Sequence, residues 1–124
     1  SNCEEKNFLG LCRSVYDIAN RARDSAIEAD ELSGTTFSIT NFGVFGVSIG
    51  TPIINQPNVG ILGVGAIKKQ PVVIESDDGD SIAIRSMMML TLGFDHRLID
   101  GAGGSRFLER IRYNLENMDL GDIR

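Results

Sequence analysis

The chain has 124 residues, of which 42% are hydrophobic, a size and composition suited to a single domain with one core. Its formal net charge is −5 and its 12 Lys and Arg are scattered, so there is no basic face to displace phosphate counterions and nucleic acid is excluded as a partner. No apolar run approaches the ~20 residues that span a bilayer, so no membrane role is expected.

The N-terminal "SNCEEKNFLG" is acidic and helical in character and reads as no signal peptide. Residues 4 to 29 predict one long amphipathic helix, with Phe8, Leu11, Cys12, Val15, Ile18, Ala19, Ala22 and Ala26 forming a stripe. Asn2 with Glu5 fits a capping box, and the helix is expected to end near Asp30. Cys3 and Cys12 sit on different turns of that helix, too far apart for a disulfide. With one histidine and no CxxC there is no zinc set, which points to a reduced, intracellular protein.

"TTFSITN" (35 to 41) alternates as a strand, with Phe37 and Ile39 on one face and Thr36, Ser38 and Thr40 on the other. The following Gly- and Pro-rich segment, 42 to 58, is too apolar for a solvated loop and is expected against protein, including another subunit. "VGILGVGAI" (59 to 67) reads as a strand covered on both faces, its glycines admitting another backbone or a ligand. "PVVIES" and "SIAIRS" predict a hairpin around an Asp78–Gly79 turn, and "MMMLTLGFD" (87 to 95) a further apolar strand. Residues 101 to 118 carry Phe107, Leu108, Ile111, Leu115 and Met118 on one helical stripe, followed by a frayed "DLGDIR" tail. The order predicts an α+β domain, a mixed or antiparallel sheet with helices on one side.

"GVGAIKK" lacks both nucleotide-loop spacings and meets Pro71 where a helix should begin. "DDGDS" lacks the alternating ligands of a calcium loop, and there is no GxSxG elbow. The chemistry concentrates in "DHRLIDG" (95 to 101), which holds the only histidine, His96, at the end of an apolar strand. An imidazole with a reference pKa near ~6.5 suits proton abstraction from a thiol at ~8.5. Asp100 reads as the N-cap of the following helix.

This motif, with "GTTFSITNFGVFG", "GTPIINQPNVGILGVGAI" and "KKQPVV" in order before it, resembles the acyltransferase components of 2-oxo acid dehydrogenase complexes and the related chloramphenicol acetyltransferases. The resemblance runs from about residue 8 to 118 and implies that residues 1–124 are the C-terminal half of a chloramphenicol-acetyltransferase-like catalytic domain. The upstream half and the lipoyl and subunit-binding domains are not in the chain. It implies that His96 deprotonates the thiol of coenzyme A or dihydrolipoamide, and that Thr40 stabilises the oxyanion of the tetrahedral intermediate. Asp100 matches the motif acid, and because relatives carry Asp or Asn there, it is expected to organise the turn.

The resemblance further implies coenzyme A as a substrate and a lipoyl group carried on a separate domain. The partners it implies are a homotrimer within a cubic or icosahedral core, and the decarboxylase and dihydrolipoamide dehydrogenase components. Histidine and hydroxyl are then expected from neighbouring subunits, in the bacterial cytoplasm or the mitochondrial matrix. Gly93 departs from the serine usual in relatives, and "TNFGVFG" with "GTPIIN" leans toward succinyl transfer. An alternative reading is a non-catalytic assembly module of the multienzyme core.

Overall fold

The computed structural model describes residues 3–28, 31, 33–119 and 121. The chain divides into two compact units, Thr36–Leu108 and a second made of Ser1–Thr35 with Glu109–Arg124.

In the second unit a short 3-10 turn, Cys3–Glu5, precedes helix α1, Phe8–Arg23. This is shorter than the 4 to 29 predicted from periodicity, and both ends have local causes. Asn7 is the N-cap, its side-chain oxygen accepting from the Gly10 N–H at 2.9 Å, so the chain starts its helix there. Asn2 and Asp30 lie outside the described residues. At the other end Ser25 adopts the left-handed conformation at φ 54°. Its N–H reaches the Ala22 carbonyl at 3.2 Å and the Ala26 N–H reaches Arg21 at 2.8 Å, a Schellman stop. Arg21 then bridges Asp17, one turn back, and Glu31 beyond the helix end. The predicted apolar stripe forms, but Phe8, Val15 and Ile18 on it are exposed. Cys3 and Cys12 are free and exposed.

In the first unit, β1 (Phe37–Asn41) pairs in parallel with β2 (Gly60–Val64), which pairs antiparallel with β5 (Leu90–Phe94). β3 (Lys68–Ile74) and β4 (Ser81–Met87) make a separate two-stranded ladder. The sequence reading joined all of these into one sheet; a bulge separates them. Val64 faces Leu90 and Lys68 faces Met87, so residues 65–67 oppose only 88 and 89. β2–β3 and β4–β5 are therefore two halves of one long antiparallel arm, bent where the extra residue sits. The freed bulge amide of Ala66 turns instead to the Val47 carbonyl at 2.9 Å. The arm's tip is also longer than a two-residue Asp78–Gly79 turn: strands stop at Ile74 and Ser81. There the Gly79 N–H bonds to the Ser76 carbonyl while the Ser76 hydroxyl donates to the Gly79 carbonyl.

β2 is the covered centre of the three-stranded sheet, with Gly60 to Gly63 all buried. One face meets helix α2, Gly101–Glu116. There Phe37 meets Phe107 edge-on at 5.8 Å between centroids, and the Phe94 ring fills the place of a side chain on Gly104. The opposite face meets the segment after β1, which opens with a 3-10 turn, Gly43–Phe45. Its backbone lies directly on the sheet: a Cβ on Gly65 would stand 2.0 Å from the Ser48 carbonyl oxygen. The close backbone approach expected from the glycines of this run is thus met by the chain's own residues. The side chains of Phe45 and Ile53 point away and are 83% and 89% exposed. β1 alternates as predicted, yet its polar Ser38 and Thr40 are the half-buried positions while Ile39 is 70% exposed. No described helix is long and apolar enough to cross a membrane.

Candidate active site

β5 ends at Phe94, and the Asp95 N–H makes one last ladder bond to the Val59 carbonyl at 2.9 Å. The chain then turns tightly: the Asp95 carbonyl accepts from both Leu98 and Ile99 N–H at 3.0 Å. The Asp95 carboxylate accepts from the Arg97 amide at 3.0 Å and from its guanidinium Nη2 at 2.7 Å. These Arg97 hydrogen bonds pull the Asp95 carboxyl down to about 2, so it stays ionised at neutral pH. His96 rides on top of this ion-paired turn, exposed, its ring tilted against Phe94 at 5.7 Å between centroids. Among the described residues its imidazole nitrogens make no hydrogen bond, which leaves both free for a ligand.

His96 lines an open pocket of about 390 Å³ together with Phe94, Asp95 and Arg97 of its own turn and Ile53, Ile54, Gln56 and Asn58 of the segment before β2. Asn58 is buried, 4% exposed, and its side-chain amide donates to the Ser38 hydroxyl. It thereby ties the pocket lining to β1 immediately after the cis Gln56–Pro57 bond. Sequence reasoning passed over Asn58, since an isolated asparagine between a Pro-rich loop and an apolar strand gives no motif. It also missed the Asp95–Arg97 clasp, for which opposite charges two residues apart around the histidine were an available signal.

The Asp100 side chain accepts from the Gly103 N–H at 2.6 Å and its carbonyl from Gly104 at 3.0 Å. Its carboxylate is thus engaged as the N-cap of α2, the capping geometry read from the sequence. Thr40 occupies the rung Thr40–Gly63–Thr91, whereas His96 lies past the rung Phe37–Gly60–Phe94 at the other end of the sheet. With strands rising ~3.3 Å per residue and spaced ~4.8 Å apart, Thr40 and His96 of one chain are separated by on the order of 15–20 Å. One copy does not bring them together. Gly93 sits on the Thr40 face, where an added Cβ would stand 3.3 Å from the Pro52 carbonyl oxygen. Among the described residues no group of three His, Cys, Asp or Glu could hold a metal.

Residues 1–121 match the model of the 2-oxoacid dehydrogenases acyltransferase catalytic domain. The chain belongs to this family. It is 46% identical over 124 residues to the dihydrolipoyllysine-residue acetyltransferase component of the pyruvate dehydrogenase complex of Corynebacterium glutamicum, covering 99% of this chain and 18% of that protein. It is 40% identical over 116 residues to the mitochondrial succinyltransferase component of the 2-oxoglutarate dehydrogenase complex of Bos taurus, covering 94% of this chain and 25% of that one. The solved cubic core of the pyruvate dehydrogenase multienzyme complex superimposes with a TM-score of 0.83 at 36% identity, over 94% of this chain and 46% of that one. The α+β acyltransferase-core fold expected from the sequence is therefore the fold of the family member. The chain spans a fifth to a quarter of these curated relatives and just under half of the solved core subunit.

Proposed function

We propose that this chain is the C-terminal half of an acyltransferase catalytic domain that moves an acyl group between dihydrolipoamide and coenzyme A. In this reading His96 takes the proton from the incoming thiol, and the resulting thiolate attacks the acyl thioester carbonyl. The Thr40 hydroxyl of a neighbouring subunit donates to the oxyanion so formed. As the tetrahedral intermediate collapses, the departing thiolate recovers the proton from the His96 imidazolium. General-base help of this kind contributes ~10²–10⁴ in rate, and one oxyanion donor ~2.7–4 kcal/mol.

The observation that carries the proposal is the split site. His96 is presented on a rigid, ion-paired turn beside a pocket, and Thr40 has a hydroxyl free of protein hydrogen bonds among the described residues. Yet the two stand at opposite ends of one sheet. A site completed between subunits uses both residues as placed. The exposed Phe45 and Ile53, on the segment that lies over the Thr40 face, are the apolar surface such an interface would cover. The same surface favours the second reading, in which this half-domain contributes assembly and is inactive alone. For the acyl group the higher identity to the acetyltransferase favours acetyl over the succinyl leaning of the sequence blocks. The lipoyl domain, the decarboxylase and dihydrolipoamide dehydrogenase components, a trimer-based core, and a bacterial cytoplasmic or mitochondrial matrix location belong to this same proposal.

The test is thioester exchange in the full-length protein with acetyl-, succinyl- and branched-chain acyl-coenzyme A. His96→Ala is expected to abolish transfer while leaving assembly size unchanged, and Thr40→Ala to reduce kcat at least 100-fold. Near-normal turnover by His96→Ala would sink the assignment. The isolated 124 residues are expected to be inactive as a monomer, and an active monomer contradicts the shared site.

A further inference from the structure

Building on the reaction proposed above, we infer that Phe94 sets the upper size of the acyl group, as the partition between the His96 pocket and an apolar hollow next to it. Phe94 lines both spaces: the pocket of about 390 Å³ that holds His96, and a second of about 200 Å³ bordered also by Phe37, Leu92, Ile99 and Phe107. Among the described residues it is the only one the two linings share. Its ring stands tilted against His96 at 5.7 Å between centroids, and its edge reaches the bare Gly104 position on α2.

The hollow has a cause in the sequence. Phe37, Gly60 and Phe94 form one rung of the sheet, and directly opposed residues project to the same face, so two aromatic rings flank a position with no side chain. On that face α2 adds a second bare position, Gly104, and Phe107, which meets Phe37 edge-on. Two glycines among large rings leave space that the rings alone do not fill. The described lining is apolar throughout, with no charged or hydrogen-bonding side chain. An apolar cavity of ~150 Å³ takes a benzene-sized guest, so the hollow has room for roughly six aliphatic carbons.

In the proposed reaction the acyl carbonyl is attacked beside His96, so the acyl tail meets the apolar part of that pocket, Ile53, Ile54 and Phe94. An acetyl group ends before the partition. A longer apolar tail runs into the Phe94 ring, and a shorter side chain at this position joins the pocket to the hollow behind it. A succinyl tail gains nothing from that opening, because a carboxylate entering the hollow loses its water and finds no partner there. Phe94 therefore acts on which acyl group fits, and the reacting atoms stay with His96 and Thr40.

The experiment measures kcat/KM with acetyl-, butyryl-, hexanoyl- and succinyl-coenzyme A in the full-length, assembled protein. It compares the unaltered protein with Phe94→Ala and Phe94→Leu, each alone and combined with Leu92→Phe. In the unaltered protein kcat/KM is expected to fall from acetyl to hexanoyl. Phe94→Ala is expected to raise the hexanoyl-to-acetyl ratio at least tenfold, since even one methylene accommodated in an apolar pocket is worth about tenfold or more. Phe94→Leu, the smaller change in packing, is expected to raise it less and decides the matter if the alanine variant fails to assemble. The succinyl-to-acetyl ratio is expected to stay unchanged. Leu92 lines the hollow and not the His96 pocket, so Leu92→Phe is expected to refill the space and cancel the gain. Each ratio is taken within one variant, so a general loss from weaker support of His96 divides out. An unchanged hexanoyl-to-acetyl ratio overturns the inference, as does a parallel rise for succinyl, which marks a loosened site. A gain that survives Leu92→Phe also overturns it. If the unaltered protein transfers none of these acyl groups, the reaction fails and this role with it. Acetyl transfer by the unaltered protein with unchanged ratios in the variants removes the role alone.

Discussion

Arg97 folds back onto Asp95 across the intervening His96, its side-chain nitrogens meeting the carboxylate at 2.7 to 3.2 Å and its own amide at 3.0 Å. The clasp fixes the backbone on both sides of the histidine, so the imidazole direction is set by the turn and the Phe94 ring. That arrangement has a pH signature. The Asp95 carboxyl is lowered from 3.8 to about 2, chiefly by the Arg97 side chain. A depressed acid contributes stability that is fully present above its unfolded value and is lost as pH falls through the folded one. The melting temperature is therefore expected to fall between about pH 4 and 2, and Asp95→Asn is expected to flatten that part of the profile. In the assembled protein Asp95→Asn is also expected to reduce acyl transfer at neutral pH by loosening the turn. An unchanged slope between pH 4 and 2 in the variant would show that the clasp does not contribute.

At Asp100 the two hydrogen bonds to Gly103 and Gly104 predict that capping is its main contribution. Asp100→Ala is expected to lower stability by ~1 kcal/mol, within the usual N-cap range. Asp100→Asn, which keeps an acceptor, is expected to retain most of the stability and most of the activity. Thermal melts and steady-state rates of the two variants check this. Loss of turnover in the Asn variant at unchanged stability would assign the carboxylate a charge-dependent role.

Gly104 is the point where α2 comes closest to the sheet. An alanine Cβ there would stand 2.4 to 2.9 Å from three atoms of the Phe94 ring, so either helix or ring must move. Gly104→Ala is expected to lower stability by about 1–3 kcal/mol. Because Phe94 also supports the His96 ring, kcat should fall alongside. Melting curves paired with turnover numbers test both parts.

Ser25 holds a left-handed conformation that glycine adopts without strain. Ser25→Gly is expected to raise stability by up to ~1 kcal/mol, since it relieves the Schellman position while keeping both its backbone bonds. A lower melting temperature would contradict the strain assignment. Acyl transfer is expected to be unaffected.

Local elements and the chemistry-bearing motif were legible in the order of residues alone. Helical periodicity marked both helices, alternation marked β1, and an unbroken apolar run marked β2, but only in β2 did the apolar residues coincide with the buried ones: Ile39 of β1 and Phe8, Val15 and Ile18 of α1 are exposed. Asp100 was legible as a cap because capping depends on residues three positions away. What needed the tertiary structure were relations between distant segments. The helix limits at Asn7 and Ser25 depend on hydrogen bonds that compete with longer runs of the same periodicity. The bulge at 65–67 exists only as a mismatch between two paired strands, so neither strand shows it alone. The rung from Thr40 through Gly63 to Thr91 joins residues far apart in the chain, and register is a property of pairing. The distance between Thr40 and His96 follows from that same register, and it turns two motif residues into halves of a site that one chain does not close.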